Sequence, residues 1–158
     1  MTAYQYPGEV FPGPPRISIT APGGWEAVAT PDSLMKFVDP RGPEQPTTIV
    51  VRATRMQRGV TLEQATARAR AALERRVAEY RGLASARGEV GGSPATIITQ
   101  AFRARPAEPP RFRVAVLVEV NRDDERRHLI RIEGNCLASA ADDLQAVFKD
   151  TLASVTFA

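Results

Sequence analysis

The sequence predicts an α/β protein of the α+β kind, with a mainly antiparallel β-sheet packed against amphipathic helices in an α/β/α sandwich. Three observations carry this. Phe112, Val114, Val116, Val118 and Val120 alternate with other residues, the period of a strand with one buried face. From Thr61 onward, apolar residues recur every three or four positions, the period of a helix with one buried stripe. Short Pro- and Gly-containing stretches, not helical crossovers, separate most neighbouring strands, which favours antiparallel pairing.

Residues 1–15 hold four prolines and two glycines among Tyr4, Tyr6 and Phe11, and read as an extended arm. Residues 16–158 read as a single domain. Ile17 and Ile19 mark a first short strand over 16–20. The stretch "APGG" breaks it, and 25–29 resumes extended structure. The double glycine raises the question of a phosphate cradle, but such loops join a strand to a helix N-terminus. Here Trp25 and a second extended piece follow. Gly23 or Gly24 is therefore expected to supply a positive φ for a turn after Pro22, with Trp25 aimed into the core. The turn "TPD" leads to a strand over 34–39, and the proline-rich "PRGPEQP" leads to a strand over 47–56 with Ile49, Val51 and Ala53 on one side.

Thr61 and Gln64 have the spacing of a capping box. Leu62, Ala65, Ala69, Leu73, Val77 and Tyr80 continue the stripe, so the helix is predicted over 61–81, with Gly82 as its stop. Three more strands are expected: 95–104, 112–120 and 128–133, the last two joined by the turn "NRDDER". Ser139 is placed to cap a final helix over 140–152, with Leu144, Val147 and Phe148 buried. The closing "SVTFA" is extended.

The 158 residues, 43% apolar and 25% charged, suit one globular domain large enough to bury a core. No apolar run reaches the roughly 18–20 residues of a membrane span. The start "MTAYQYPGEVFPGPP" has neither a basic beginning nor an apolar stretch, so no signal or lipoprotein leader is expected. The single Cys136 excludes an internal disulfide and suits a reducing compartment, so a cytoplasmic location is expected. Net charge is +3, and nearly all the cations are arginines that alternate with acids. That mixture argues against a nucleic-acid partner, which calls for a basic stripe.

The order of elements resembles the PsbP-like superfamily, which includes Ran-binding Mog proteins, the photosystem extrinsic protein and bacterial LpqN-type proteins. The residues that carry the resemblance are "ISITAPGGWEAV", the strand-then-helix "TIVVRATRMQRGVTLEQATARARAALERRV" and the closing "LQAVFKDTLASVTF". The nearest branch is the LpqN type. The resemblance implies an antiparallel sheet between helices and a binding, assembly or chaperone-like role without a shared catalytic site.

Catalytic constellations are hard to build from these residues. Cys136 and His128 lie eight apart, about 26 Å along a strand, too far for a nucleophile and its base. One His and one Cys make no zinc site, and the acids lack calcium-loop spacing. No cofactor is expected. Asp142 and Asp143 suit the first turn of the last helix. Glu119 and Glu133 could face one another across a hairpin, but Arg113 and Arg131 make a cross-strand ion-pair lattice the better account. Arg52, Arg55, Arg58, Arg103, Arg105, Arg111 and Arg113 lie near strand ends and form the candidate partner surface, if they share one edge.

The function expected is therefore a non-enzymatic binding or adaptor protein that holds a protein or peptide on a sheet face or the arm, with a homodimer as a further option. One alternative is a chaperone of the EagR type, with an apolar groove near Leu117 or Val50. Another is a small-molecule binder or enzyme with a pocket between the sheet and the long helix.

Overall fold

The computed structural model describes residues 1–10, 13–42, 45–121 and 125–158. Phe11 of the arm and the centre of the "NRDDER" turn lie outside the described residues.

Strands β2 (Glu26–Ala27), β3 (Met35–Val38), β4 (Thr48–Arg55), β5 (Glu79–Val90), β6 (Ser93–Arg103), β7 (Arg111–Asn121) and β8 (Arg127–Leu137) form one sheet in the order β2-β3-β4-β8-β7-β6-β5. Every pairing in it is antiparallel. A two-stranded ribbon joins β1 (Ile17–Ser18) to β9 (Thr156–Phe157). Reciprocal bonds between Arg16 and Ala158, 3.0 and 2.9 Å, extend that ribbon and hold the two ends of the domain together.

Alternation along β7 and β8 sends Val114, Val116, Val118, Ile130, Ile132 and Cys136 to one face. Helix α2 (Ala141–Ala153) covers that face with Leu144 and Phe148, and Val155 follows just beyond it. Each of the larger fully buried side chains contributes about 1.5–3 kcal/mol. The opposite face is covered only in part. Helix α1 (Leu62–Arg76) lays Leu62, Ala65 and Ala69 against Ile98, Ala115, Leu117 and Leu129. Towards the C-terminal end of α1 the sheet residues become charged.

Several local expectations hold. The Thr61 hydroxyl accepts from the Gln64 amide at 3.1 Å, and the Gln64 side chain accepts from the Thr61 amide at 3.0 Å. The Trp25 amide donates to the Pro22 carbonyl at 3.1 Å, and Gly24 has φ +80°, so the double glycine forms a turn. Trp25 packs against the α2-side core while keeping part of its ring exposed.

Others need correction. The helix stops at Arg76, because Val77 already has extended dihedrals of −112° and 157°. Val77 and Tyr80 continued the helical period by coincidence. Tyr80 and Gly82 belong to β5, a twelve-residue strand that no local sequence pattern marks. Residues 81–89 are all exposed on this edge strand, so no alternation was imposed on them. The β5–β6 hairpin closes through Gly91 and Gly92, with φ +57° and +79°, the pair of left-handed residues that a two-residue type I′ turn requires. Ser139 does not cap α2. The helix enters through a 3-10 turn over Ala138–Ala140, and its N-cap is Ala140. Strand β8 runs four residues beyond its predicted end.

Candidate functional site

The register places three rows of side chains on the α1 side of the sheet. Arg52 of β4 lies opposite Arg131 of β8, and Arg131 lies opposite Leu117 of β7. One row on, Val50 lies opposite Glu133, Glu133 opposite Ala115, and Ala115 opposite Ile98. In the third row Asn135 lies opposite Arg113, and Arg113 opposite Gln100. Like charges directly across a strand pair repel. Here Glu133 removes the conflict, since its carboxylate lies in the middle of three guanidinium groups.

The geometry around Glu133 is specific. Its Oε1 is 3.2 Å from Arg52 Nη1 and 3.7 Å from Arg131 Nη2, and its Oε2 is 3.2 Å from Arg113 Nη1. The Glu133 side chain is only 8% exposed, whereas those of Arg52, Arg113 and Arg131 are 34%, 21% and 35% exposed. Arg113 also donates from Nε to Asn135 Oδ1 at 2.6 Å and stacks 5.3 Å from the centre of the Phe102 ring. Burial lowers the pKa of Arg113 from its ordinary value, and the Glu133 charge opposes that shift. Asp32, at the rim, lies 3.7 Å from Arg52. Hydrogen bonding from Thr30 and its own backbone, and then the Arg52 charge, hold its carboxyl below the usual aspartate range.

These groups line a cleft of about 320 Å³ between the sheet and the C-terminal half of α1. Ala69, Ala72 and Leu73 form its helical wall, and Arg76, the last residue of α1, stands at its mouth. Gln100, buried in the sheet, accepts from the Tyr80 hydroxyl at 2.7 Å, which ties the missed strand β5 to the site. Arg131 Nε is shielded from solvent and has no hydrogen-bond partner among the described residues.

The seven arginines singled out in the sequence do not share one edge. Arg52 and Arg113 enter the cleft. Arg55, at the end of β4, and Arg58, in the loop that follows, are exposed and lie outside the cleft lining, with Arg58 3.9 Å from Glu125. Arg103 pairs with Glu79 at 3.2 Å and donates to the Glu108 carbonyl at 2.7 Å. Arg111 donates to Gln45 at 2.8 Å, and Arg105 is exposed in a loop. Of the ion-pair lattice expected among Arg113, Arg131, Glu119 and Glu133, the part formed by Arg113, Arg131 and Glu133 is the floor of the cleft. Arg76, Gln100 and Asp32 were missed. Only strand register and the true end of α1 bring them in.

Glu119 does not face Glu133. It lies opposite Leu129 and accepts from Arg127 Nε at 3.0 Å. His128 and Cys136 stand at the two ends of β8, and their parity places both on the α2 side, away from the cleft. Burial raises the Cys136 thiol to a pKa of about 11. Leu117 and Val50, proposed to line an apolar groove, are 1% and 6% exposed. Among the described residues, no helix is long and apolar enough to cross a membrane, and no group of three or more His, Cys, Asp or Glu is placed to hold a metal ion.

Comparison with known proteins agrees with this architecture. LpqN of Mycobacterium tuberculosis, described as involved in cell envelope biogenesis, superposes with a TM-score of 0.77 at 16% identity, covering 92% of this chain and 85% of that one. The Saccharomyces cerevisiae Ran-binding protein Mog1p gives 0.65 at 13% identity and 88% of each chain. The cyanobacterial PsbP of Synechocystis gives 0.60 at 13% identity, over 100% of this chain and 99% of that one. No sequence among functionally curated proteins matches. At these identities the structural likeness establishes a PsbP-like fold. The sequence profile of the family described as "Probable lipoprotein LpqN" matches residues 8–156, and the chain belongs to that family.

Proposed function

We propose that this chain is a non-enzymatic binding or adaptor protein that engages a protein or peptide partner, and that the arginine-lined cleft is where it takes hold. The observation that carries this reading is the cleft itself, where Arg52, Arg76, Arg113 and Arg131 surround Glu133 beside the uncovered part of the sheet. Guanidinium groups make strong, directional bonds to oxyanions. They are poor proton carriers near neutral pH, where acid–base catalysis needs a group that titrates. His128 and Cys136, the single histidine and the single cysteine of the sequence, face the other side of the sheet. A partner that offers acidic groups is the complement to such a surface. Mog1p, a Ran-binding protein of similar fold, supports a protein partner as the reading.

The pocket between sheet and long helix also favours the small-molecule reading in its binding form. Leu117 and Val50, the residues expected to line an EagR-type groove, are buried, which favours the cleft reading over that alternative.

Affinity capture from native lysate tests the proposal with the wild-type chain and with Arg76→Glu. Arg76 is exposed at a helix end, so its reversal leaves the core intact. The wild type is expected to retain a stoichiometric protein that Arg76→Glu does not. Identical recoveries with both chains contradict the proposal. A cytoplasmic location stays part of this reading, and recovery of the native protein with membranes after lysis contradicts it.

A further inference from the structure

We infer that the cleft between α1 and the sheet is a seat for a phosphate monoester, the doubly charged oxyanion group of its ligand. The inference deepens the binding reading above and rests on its location of the site. Charge is the first ground. Four guanidinium groups, of Arg52, Arg76, Arg113 and Arg131, face two carboxylates, of Asp32 and Glu133, which leaves two positive charges unbalanced. A carboxylate ligand would neutralise one of them. A phosphate monoester carries about −1.5 to −2 at neutral pH and answers both.

Unused hydrogen-bonding capacity is the second ground. Arg131 Nε is shielded from solvent without an acceptor. A buried unmet donor costs free energy, more so when it is charged. Arg76 has no carboxylate partner among the described residues, so its whole guanidinium fork is open to a ligand at the cleft mouth. Arg131, whose side chain is 35% exposed, and Arg76 would hold phosphate oxygens from two sides. Arg113 is already oriented by Asn135 and Phe102 and supplies a third direction.

Shape is the third ground. The cleft volume of about 320 Å³ exceeds what a bare phosphate fills, and Ala69, Ala72 and Leu73 give one wall an apolar lining. The site therefore suits a phosphate on an organic stem. Selectivity comes from the net positive charge of the lining, which attracts a doubly charged anion more strongly than a singly charged one.

Isothermal titration of the chain at fixed ionic strength tests this. The probes are phenyl phosphate, benzoate and phthalate, together with an alanine-flanked phosphoserine peptide and its unphosphorylated form. Phenyl phosphate is expected to bind about tenfold or more tighter than benzoate, the difference that one further charge-assisted bond makes. Arg76→Gln is expected to weaken it by a similar factor while leaving the thermal midpoint unchanged. Equal affinity for phenyl phosphate and benzoate, tighter binding of phthalate, or indifference to Arg76→Gln overturns the phosphate assignment. Phosphopeptide binding that the unphosphorylated peptide lacks supports both this inference and a peptide partner. Binding of phenyl phosphate without the phosphopeptide supports the phosphate seat, assigns it to a small molecule, and refutes the peptide-partner reading of the cleft.

Discussion

Glu133 is the residue on which the site turns. It is buried, and it is the counter-charge for three arginines that would otherwise repel one another across β4, β8 and β7. Removing one member of a buried charge cluster leaves the others uncompensated, at about 3–5 kcal/mol when all are buried. The arginines here are partly hydrated, which screens the loss. Glu133→Gln is therefore expected to cost about 2 kcal/mol, read as a lower urea midpoint with an unchanged slope. An unchanged midpoint would mean that the cluster contributes nothing to folding. Cys136 offers a pH test at the same scale. Its thiol is raised from about 9 to about 11 by burial, so the unfolded chain loses its proton first. The folded state is thus at no disadvantage below pH 9, and its stability falls as pH rises from about 9 to about 11. The thermal midpoint of the wild type should drop more steeply over that window than that of Cys136→Ala. Parallel curves would place the thiol in contact with water.

At the scale of elements, sequence legibility followed burial. Strands β4 and β7 were clear because each packs one face against the core, which enforces alternation at Ile49, Val51 and Ala53, and at Val114, Val116 and Val118. The start of α1 was clear because the Thr61–Gln64 box is local chemistry. Strand β5 was not legible. It is an edge strand exposed from Arg81 to Glu89 and paired through its backbone to β6 on one side only. Its first residues also continued the helical stripe, so the end of α1 was misplaced and Arg76 was hidden in a helix interior. The hairpin that makes β5 possible can be tested directly. A Cβ at Gly91 would meet the Phe157 ring at 2.9 Å and the Val155 carbonyl at 3.1 Å, with φ at +57°. At Gly92 the φ is +79° but nothing lies within 4 Å. Gly92→Ala is expected to cost about 1 kcal/mol, from the left-handed backbone alone. Gly91→Ala should cost about 1–3 kcal/mol more, from the added steric overlap. Equal losses would show that β9 yields freely to the hairpin.

For the molecule as a whole, the two faces of the sheet divide the work. The α2 side carries the larger apolar core, where Ile130, Ile132, Val116 and Val118 are fully buried. The α1 side is only half covered, and its uncovered half is charged. This division was half visible in the sequence. Arg52, Arg113, Arg131 and Glu133 could each be picked out as polar positions on otherwise apolar strands. Their convergence depends on long-range register, Arg52 opposite Arg131 and Ala115 opposite Glu133, which no local pattern specifies. The proposal for this charged half is a binding site, as against a merely solvated surface. Nitrogen–proton NMR of the arginine Nε groups during titration with phenyl phosphate tests it most directly. Shifts that saturate and are confined to Arg52, Arg76, Arg113 and Arg131 are predicted. Shifts spread evenly over the exposed arginines, Arg55, Arg58 and Arg105 among them, would contradict it.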